Sequence, residues 1–136
     1  IVNGGLAWMI APNVEELREL LGSEVEDAPA SLAEAARTLL GRVEMVLISR
    51  GEQGALLVAK TGAWTACATI RQEVLSTVGC GDSLLAGFLA GLVETGDPQA
   101  ALSQGLRAAT ARAWGWTEAR TWAQAQKEVA VAVEPL

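Results

Sequence analysis

Gly79, Gly81 and Asp82 stand at the mouth of a strongly apolar stretch, in Ser76-Thr77-Val78-Gly79-Cys80-Gly81-Asp82-Ser83-Leu84-Leu85-Ala86-Gly87-Phe88. Glycine lets backbone amides approach a ligand closely and tolerates positive φ. The start of a helix leaves N–H groups without partners and carries a partial positive charge. Together these features suit a phosphate. A carboxylate in the same place repels a bare phosphate, so Asp82 needs a reason. The simplest is a base that takes a proton from an attacking hydroxyl. The residues alone leave a plainer reading open, a tight strand-to-helix turn with Asp82 as N-cap.

Two upstream segments carry further chemistry. Ala11-Pro12-Asn13-Val14-Glu15-Glu16-Leu17 sets Asn13 and Glu16 at i and i+3, on one face of a first helical turn. The same spacing also makes an ordinary helix start, with Glu16 as capping-box partner. Val46-Leu47-Ile48-Ser49-Arg50-Gly51-Glu52-Gln53-Gly54-Ala55-Leu56-Leu57-Val58 is a strand, a glycine-bearing turn and a return strand. On its own it is equally a plain hairpin.

Taken in order, the three segments resemble a family. Ser76 to Leu89 resembles the second signature of the phosphofructokinase-B, or ribokinase-like, carbohydrate kinases. The match holds except at Cys80, where the family usually has a smaller residue. The Asn13 segment resembles the family's Lys-Pro-Asn-x-x-Glu-Leu, with Ala11 in place of the lysine. The Ser49 turn resembles its Ser-x-Gly-x-x-Gly. Within the family, the pattern from Ala86 to Leu92 and the terminal Val133-Glu134-Pro135-Leu136 look most like the 1-phosphofructokinase and tagatose-6-phosphate kinase branch.

The resemblance implies a MgATP-dependent kinase acting on the hydroxyl of a sugar or sugar phosphate. The amides of Gly79, Cys80 and Gly81, with that of Asp82, would hold the transferred phosphoryl group, and Asp82 would be the base. Asn13, Ser49, Gly51, Gly54, Gly81 and Asp82 would border the nucleotide. Glu16 and Asn13 would act on Mg²⁺ indirectly, through water. The small-residue helix from Gly105 to Ala113 would offer adenine a flat wall. Trp114, Trp116 and Trp122 are candidates for an adenine pocket, or else core cover near the chain end. The loop that usually precedes the family's last helix is replaced by Trp114-Gly115-Trp116-Thr117.

The resemblance covers residues 1–136 as the carboxyl-terminal, nucleotide-binding part of such a domain. The amino-terminal half, with its sugar contacts and lid, is not found in this sequence. A fragment or a truncated relative is expected, and with it an exposed sheet edge, self-association or marginal stability. The expected partners are therefore ATP, a small sugar or sugar phosphate, and a second copy or the other half. Rival readings are a non-catalytic nucleotide-binding remnant or scaffold, a kinase of another sugar such as ribose, and a generic α/β domain whose glycines only make turns.

Composition agrees with a cytoplasmic enzyme domain. The chain has 136 residues, 51% of them apolar, and a net charge of −6. An acidic chain without a basic run argues against a nucleic-acid surface. There is no histidine, and Cys67 and Cys80 have no metal spacing, which excludes a Ser-His-Asp triad and a zinc site. No signal peptide is visible. The apolar run from Leu84 to Val93 is too short to cross a bilayer. Its Gly87-x-x-x-Gly91 spacing suits close helix packing.

These residues need elements to position them. Trp8 to Ala11 reads as a short buried strand, and Asn13 to Leu21 as an amphipathic helix ended by Gly22. Ser31 to Leu40 reads as a second helix, with a Ser31/Glu34 capping box. Met45 to Ser49 lacks polar alternation, as in a strand covered on both faces. Gly54 to Lys60 and Ala63 to Ala68 read as further strands. Gly81 to Glu94 is apolar nearly all round and predicts a buried helix. Asp97 and Pro98 open the next helix, to about Trp114. Glu118 to Lys127 reads as a helix and Val129 to Val133 as a last strand. The order predicts an α/β fold, and the resemblance implies a ribokinase-like three-layer α/β/α sandwich on a mostly parallel sheet. In such sheets ligands sit beyond the carboxyl ends of the strands.

Overall fold

The structure, a computed structural model, describes residues 8–68, 80–114 and 130–136. It divides into two compact units, residues 1–65 with 134–136 and residues 66–133.

The elements run β1 (Met9–Ile10), α1 (Val14–Leu21), α2 (Pro29–Arg37), β2 (Met45–Ser49), β3 (Ala55–Ala59), β4 (Gly62–Ala68), α3 (Cys80–Thr95), α4 (Pro98–Trp114) and β5 (Val131–Pro135). The five strands form one sheet in the order β1-β2-β3-β4-β5. β1 pairs with β2 in parallel, and β2 pairs with β3 antiparallel, Leu47 opposite Leu57. The expected parallel pairing thus lies at β1/β2, and the return strand after the glycine turn runs antiparallel. The expected helix over Glu118 to Lys127 lies outside the described residues.

The core of the first unit explains the unalternating strands. Val46, Ile48, Leu56 and Val58 on one sheet face pack with Leu17 of α1 and Leu32, Ala33 and Ala36 of α2. Leu47 and Leu57 point to the other face and are fully buried as well. Each fully buried Leu or Ile contributes about 1.5–3 kcal/mol of transfer free energy, so a polar residue at any of these positions would be costly.

α1 begins and ends as its residues dictate. Asn13 Oδ1 accepts from the Glu16 N–H at 2.8 Å, and Glu16 Oε1 accepts from the Asn13 N–H at 3.0 Å. This is a complete capping box. Gly22 ends the helix at φ 62°, the left-handed conformation that glycine adopts most cheaply. Asn13→Ala is expected to lower stability by about 1 kcal/mol, as loss of an N-cap does. Thermal unfolding of the variant checks this, and Asn13→Asp, which keeps an accepting oxygen, is expected to unfold like the parent.

Expectations at four elements are corrected. α2 starts at Pro29, with Ala28 as an N-cap that has no side-chain bond. Pro29 fits the first helical turn because its absent N–H is an orphan there anyway. Ser31 is therefore inside the helix, and its hydroxyl lies 3.5 Å from Glu26 Oε2 rather than capping. α2 also ends at Arg37, ahead of Leu40. β1 is shorter and half-buried, and Trp8 beside it is 43% exposed. α3 is not buried all round, since Val93 is 88% exposed and Leu89 is 37% exposed. The final strand begins at Val131 rather than Val129.

The second unit is built on the α3–α4 pair. Leu84 and Phe88 of α3 are buried, as are Ala101, Leu102, Leu106, Ala108 and Ala111 of α4. Gly87 and Gly91 face α4, as their spacing suggested. A Cβ built on Gly87 would meet Ala108 Cβ at 2.9 Å, and one on Gly91 would meet Ala101 Cα at 2.9 Å. Asp97 caps α4, its Oδ1 accepting from the Gln99 N–H at 3.1 Å.

Candidate nucleotide and phosphoryl site

In the first unit the candidate residues gather at the carboxyl ends of β1 and β2. The Ser49 N–H donates to Pro12 O at 3.1 Å, and Asn13 and Ser49 form an isolated parallel bridge. This continues the β1/β2 register three residues beyond β1, to the last residue of β2. It puts the start of α1 beside the end of β2, the place where open α/β sheets bind ligands.

The capping box fixes Asn13 and Glu16 without using them up. Both are exposed. Asn13 keeps its side-chain NH₂, and Glu16 keeps Oε2 with no further hydrogen bond among the described residues. No group of three or more metal-ligating side chains occurs among the described residues. A lone carboxylate fits Mg²⁺ held through its own waters and substrate phosphates, and does not fit an all-protein cage.

The turn after Ser49 is tightly closed. The Arg50 N–H donates to Gly54 O at 2.8 Å, the Gln53 N–H to Arg50 O at 3.2 Å and the Gly54 N–H to Gly51 O at 3.1 Å. Gly51 sits at φ 60° and Gly54 at φ 101°, ψ −138°. The second of these conformations is essentially restricted to glycine. Both glycines are thus required by the turn itself, whatever it borders.

Arg50 and Asp27, which the sequence reading did not single out, hold this turn from the side. Arg50 Nε donates to Asp27 Oδ1 at 3.0 Å, and Nη2 donates to Gln53 Oε1 at 2.6 Å. No local spacing announces a pair separated by 23 positions. The fold alone makes it.

In the second unit, Cys80 is the first residue of α3 and Gly79 lies outside the described residues. Gly81 is exposed, and a Cβ built on it meets nothing within 4 Å. Asp82 is exposed in the first turn, and it makes no hydrogen bond or ion pair among the described residues. It stands inside the helix rather than ahead of it, so it is not the N-cap of the plainer reading. A carboxylate in a first turn is favoured by the helix dipole by about 0.3–1 kcal/mol. Trp114 is the last residue of α4, and Trp116 and Trp122 lie outside the described residues. No described helix is long and apolar enough to cross a membrane.

Comparison with known proteins gives the chain a family. A family model described as pfkB family carbohydrate kinase matches residues 3–113. The chain is 39% identical over 87 residues to ATP-dependent 6-phosphofructokinase isozyme 2 of Mycobacterium tuberculosis strain H37Rv, a match covering 62% of this chain and 25% of that protein. It is 37% identical over 87 residues to the 1-phosphofructokinase of Escherichia coli K12, covering 63% of this chain and 27% of that protein. Among solved structures, a putative phosphofructokinase from Staphylococcus aureus superposes with a TM-score of 0.78 at 27% identity, covering 93% of this chain and 42% of that one. The chain therefore spans about a quarter of the length of its curated relatives over the matched stretch. The fold is ribokinase-like, as the α/β order and the three segments led one to expect. With the family model spanning most of its length, this chain belongs to the pfkB family of carbohydrate kinases.

Proposed function

We propose that this chain is the nucleotide-binding part of an ATP-dependent kinase that phosphorylates a hydroxyl of a sugar phosphate, of the 1-phosphofructokinase or tagatose-6-phosphate kinase type. The observation that carries the reading is Asp82, an exposed carboxylate in the first turn of α3 with no partner among the described residues, directly after an open Gly81. What supports the reading is the placement of this carboxylate, since the start of a helix suits a phosphate and Asp82 is left open to accept a proton beside it.

Phosphoryl transfer needs positioning and charge neutralisation more than covalent chemistry. The amides of Gly79, Cys80, Gly81 and Asp82 hold the transferred group as its charge develops. Asp82 accepts the proton of the attacking hydroxyl and aims its oxygen at the γ-phosphorus. The hydroxyl oxygen forms the new P–O bond, and the bond to the β-phosphate oxygen breaks to release ADP. Ser49, Gly51 and Gly54 border the ribose and phosphates. When bound, Mg²⁺ would neutralise phosphate charge, with Glu16 and Asn13 ordering its waters. Besides ATP and the sugar phosphate, the partners under this reading are a second copy of the chain or the family's amino-terminal half.

A second reading, a non-catalytic nucleotide-binding remnant, is favoured by Ala11 at the position where the family carries lysine. Two measurements separate the readings. Saturating MgATP should raise the unfolding temperature, because a ligand at a hundred times its Kd adds about 2.7 kcal/mol. ADP release with fructose 1-phosphate, fructose 6-phosphate or tagatose 6-phosphate, measured in the full-length polypeptide, should then be seen with one of them. A thermal shift without turnover on any of the three would favour the remnant. The absence of both a thermal shift and turnover would sink the nucleotide reading.

A further inference from the structure

We infer that Arg50 and Asp27 form a clamp that sets the Gly51–Gly54 turn and, through it, the affinity of the chain for the phosphates of a nucleotide. The inference deepens the nucleotide reading above and rests on it. Arg50 is used twice at this point. Its main chain closes the turn, donating to Gly54 O at 2.8 Å and accepting from the Gln53 N–H at 3.2 Å. Its guanidinium then leaves the turn and reaches the connection between α1 and α2. There it bonds Asp27 Oδ1 at 3.0 Å and approaches Asp27 O at 3.5 Å, while Nη2 returns to Gln53 Oε1 at 2.6 Å.

The geometry is that of a brace. The Arg50 side chain is 8% exposed and that of Asp27 is 38% exposed. A planar guanidinium spends little entropy in holding several acceptors at once. Asp27 immediately precedes Ala28, the N-cap of α2, and α2 is anchored in the core through Leu32, Ala33 and Ala36. The turn is thereby tied to the core through a second route besides β2 and β3. It needs one. Two of its residues are glycines at positive φ, and glycine gives the backbone more freedom than any other residue. A phosphate-bordering loop binds tightly only when its amides are already in place, since ordering them on binding subtracts from affinity. Arg50 and Asp27 are positioning residues in this scheme and touch no ligand themselves.

The test uses the whole chain, its Asp27→Asn and Arg50→Lys variants, and the Asp27→Asn/Arg50→Lys double variant. Amide hydrogen exchange is read at Gln53 and Gly54, with Leu17 and Val46 as core references. MgATP binding is read by calorimetry. Asp27→Asn should speed exchange at the turn by about tenfold and leave the core amides unchanged. It should weaken MgATP about three- to tenfold. Arg50→Lys should do the same, because a lysine keeps the charge but loses the fork. The double variant should be no worse than Arg50→Lys alone, since Asp27 holds the turn through Arg50. Unchanged turn exchange in Asp27→Asn would overturn the clamp alone. Faster exchange with unchanged MgATP affinity would overturn its role in binding. A parent chain that binds no MgATP would overturn the nucleotide reading and the affinity role together, whatever the exchange shows.

Discussion

Asp82→Asn should abolish phosphoryl transfer in the full-length polypeptide while nucleotide affinity and fold stability stay close to the parent's. Asparagine has nearly the same size and shape but accepts no proton near neutral pH. Loss of a general base costs about 10²–10⁴ in rate. The structural cost is small by comparison. Asp82 is exposed and has no partner among the described residues. The stability it contributes is the helix-dipole interaction, about 0.3–1 kcal/mol. These magnitudes keep the two explanations apart. A structural aspartate predicts a slightly lower unfolding temperature and normal turnover. A base predicts a near-normal unfolding temperature, a collapse of kcat and little change in KM for ATP, because the interaction lost exists only in the transition state. Turnover within a few-fold of the parent would remove Asp82 from the chemistry.

The parts of this molecule that were legible in its sequence are those set by local rules. Asn13 and Glu16 advertise a capping box by their spacing, and the box is formed. Gly22, Asp97 and Pro98 mark helix ends because only certain residues satisfy the groups there. Val46 to Ile48 show no alternation because both sheet faces are covered. The misreadings come from competition or from distance. At α2 the Ser31/Glu34 spacing misled, because Pro29, with its φ already helical and no N–H to satisfy, opens the helix two residues earlier. At α3 the apolar residues suggested burial on every side, yet Val93 is almost fully exposed. Periodicity shows which residues are apolar, not how many neighbours the tertiary fold supplies. Arg50 and Asp27 were invisible for the same reason. Their partnership depends on where β2 delivers a turn relative to the start of α2. Of the candidate site, residue types and order were readable, whereas the rung that joins Asn13 to Ser49 required the fold.

The α3–α4 pair supplies the second large effect, and its sign is decided by two opposed magnitudes. Gly105→Ala places a methyl inside a helix, where alanine is favoured over glycine by about 0.8–1 kcal/mol. At an open position that gain would be realised. At Gly105 the new Cβ would lie 2.7 Å from Leu84 O, 3.0 Å from Phe88 N and 3.2 Å from Phe88 Cβ. The first two are main-chain atoms of α3, which no rotamer change can move aside. The helices must separate, and Phe88, fully buried between its neighbours, must shift with them. Overpacking of this kind costs about 1–3 kcal/mol and exceeds the propensity gain. Gly105→Ala is therefore expected to lower the unfolding temperature by several degrees. Gly81→Ala gives the internal control for stability, since its Cβ meets nothing within 4 Å in the first turn of α3. That variant should unfold at or above the parent's temperature. If Gly105→Ala were as stable as Gly81→Ala, α3 and α4 would not approach each other through this glycine contact, and the close packing that frames the start of α3 would have to be redrawn.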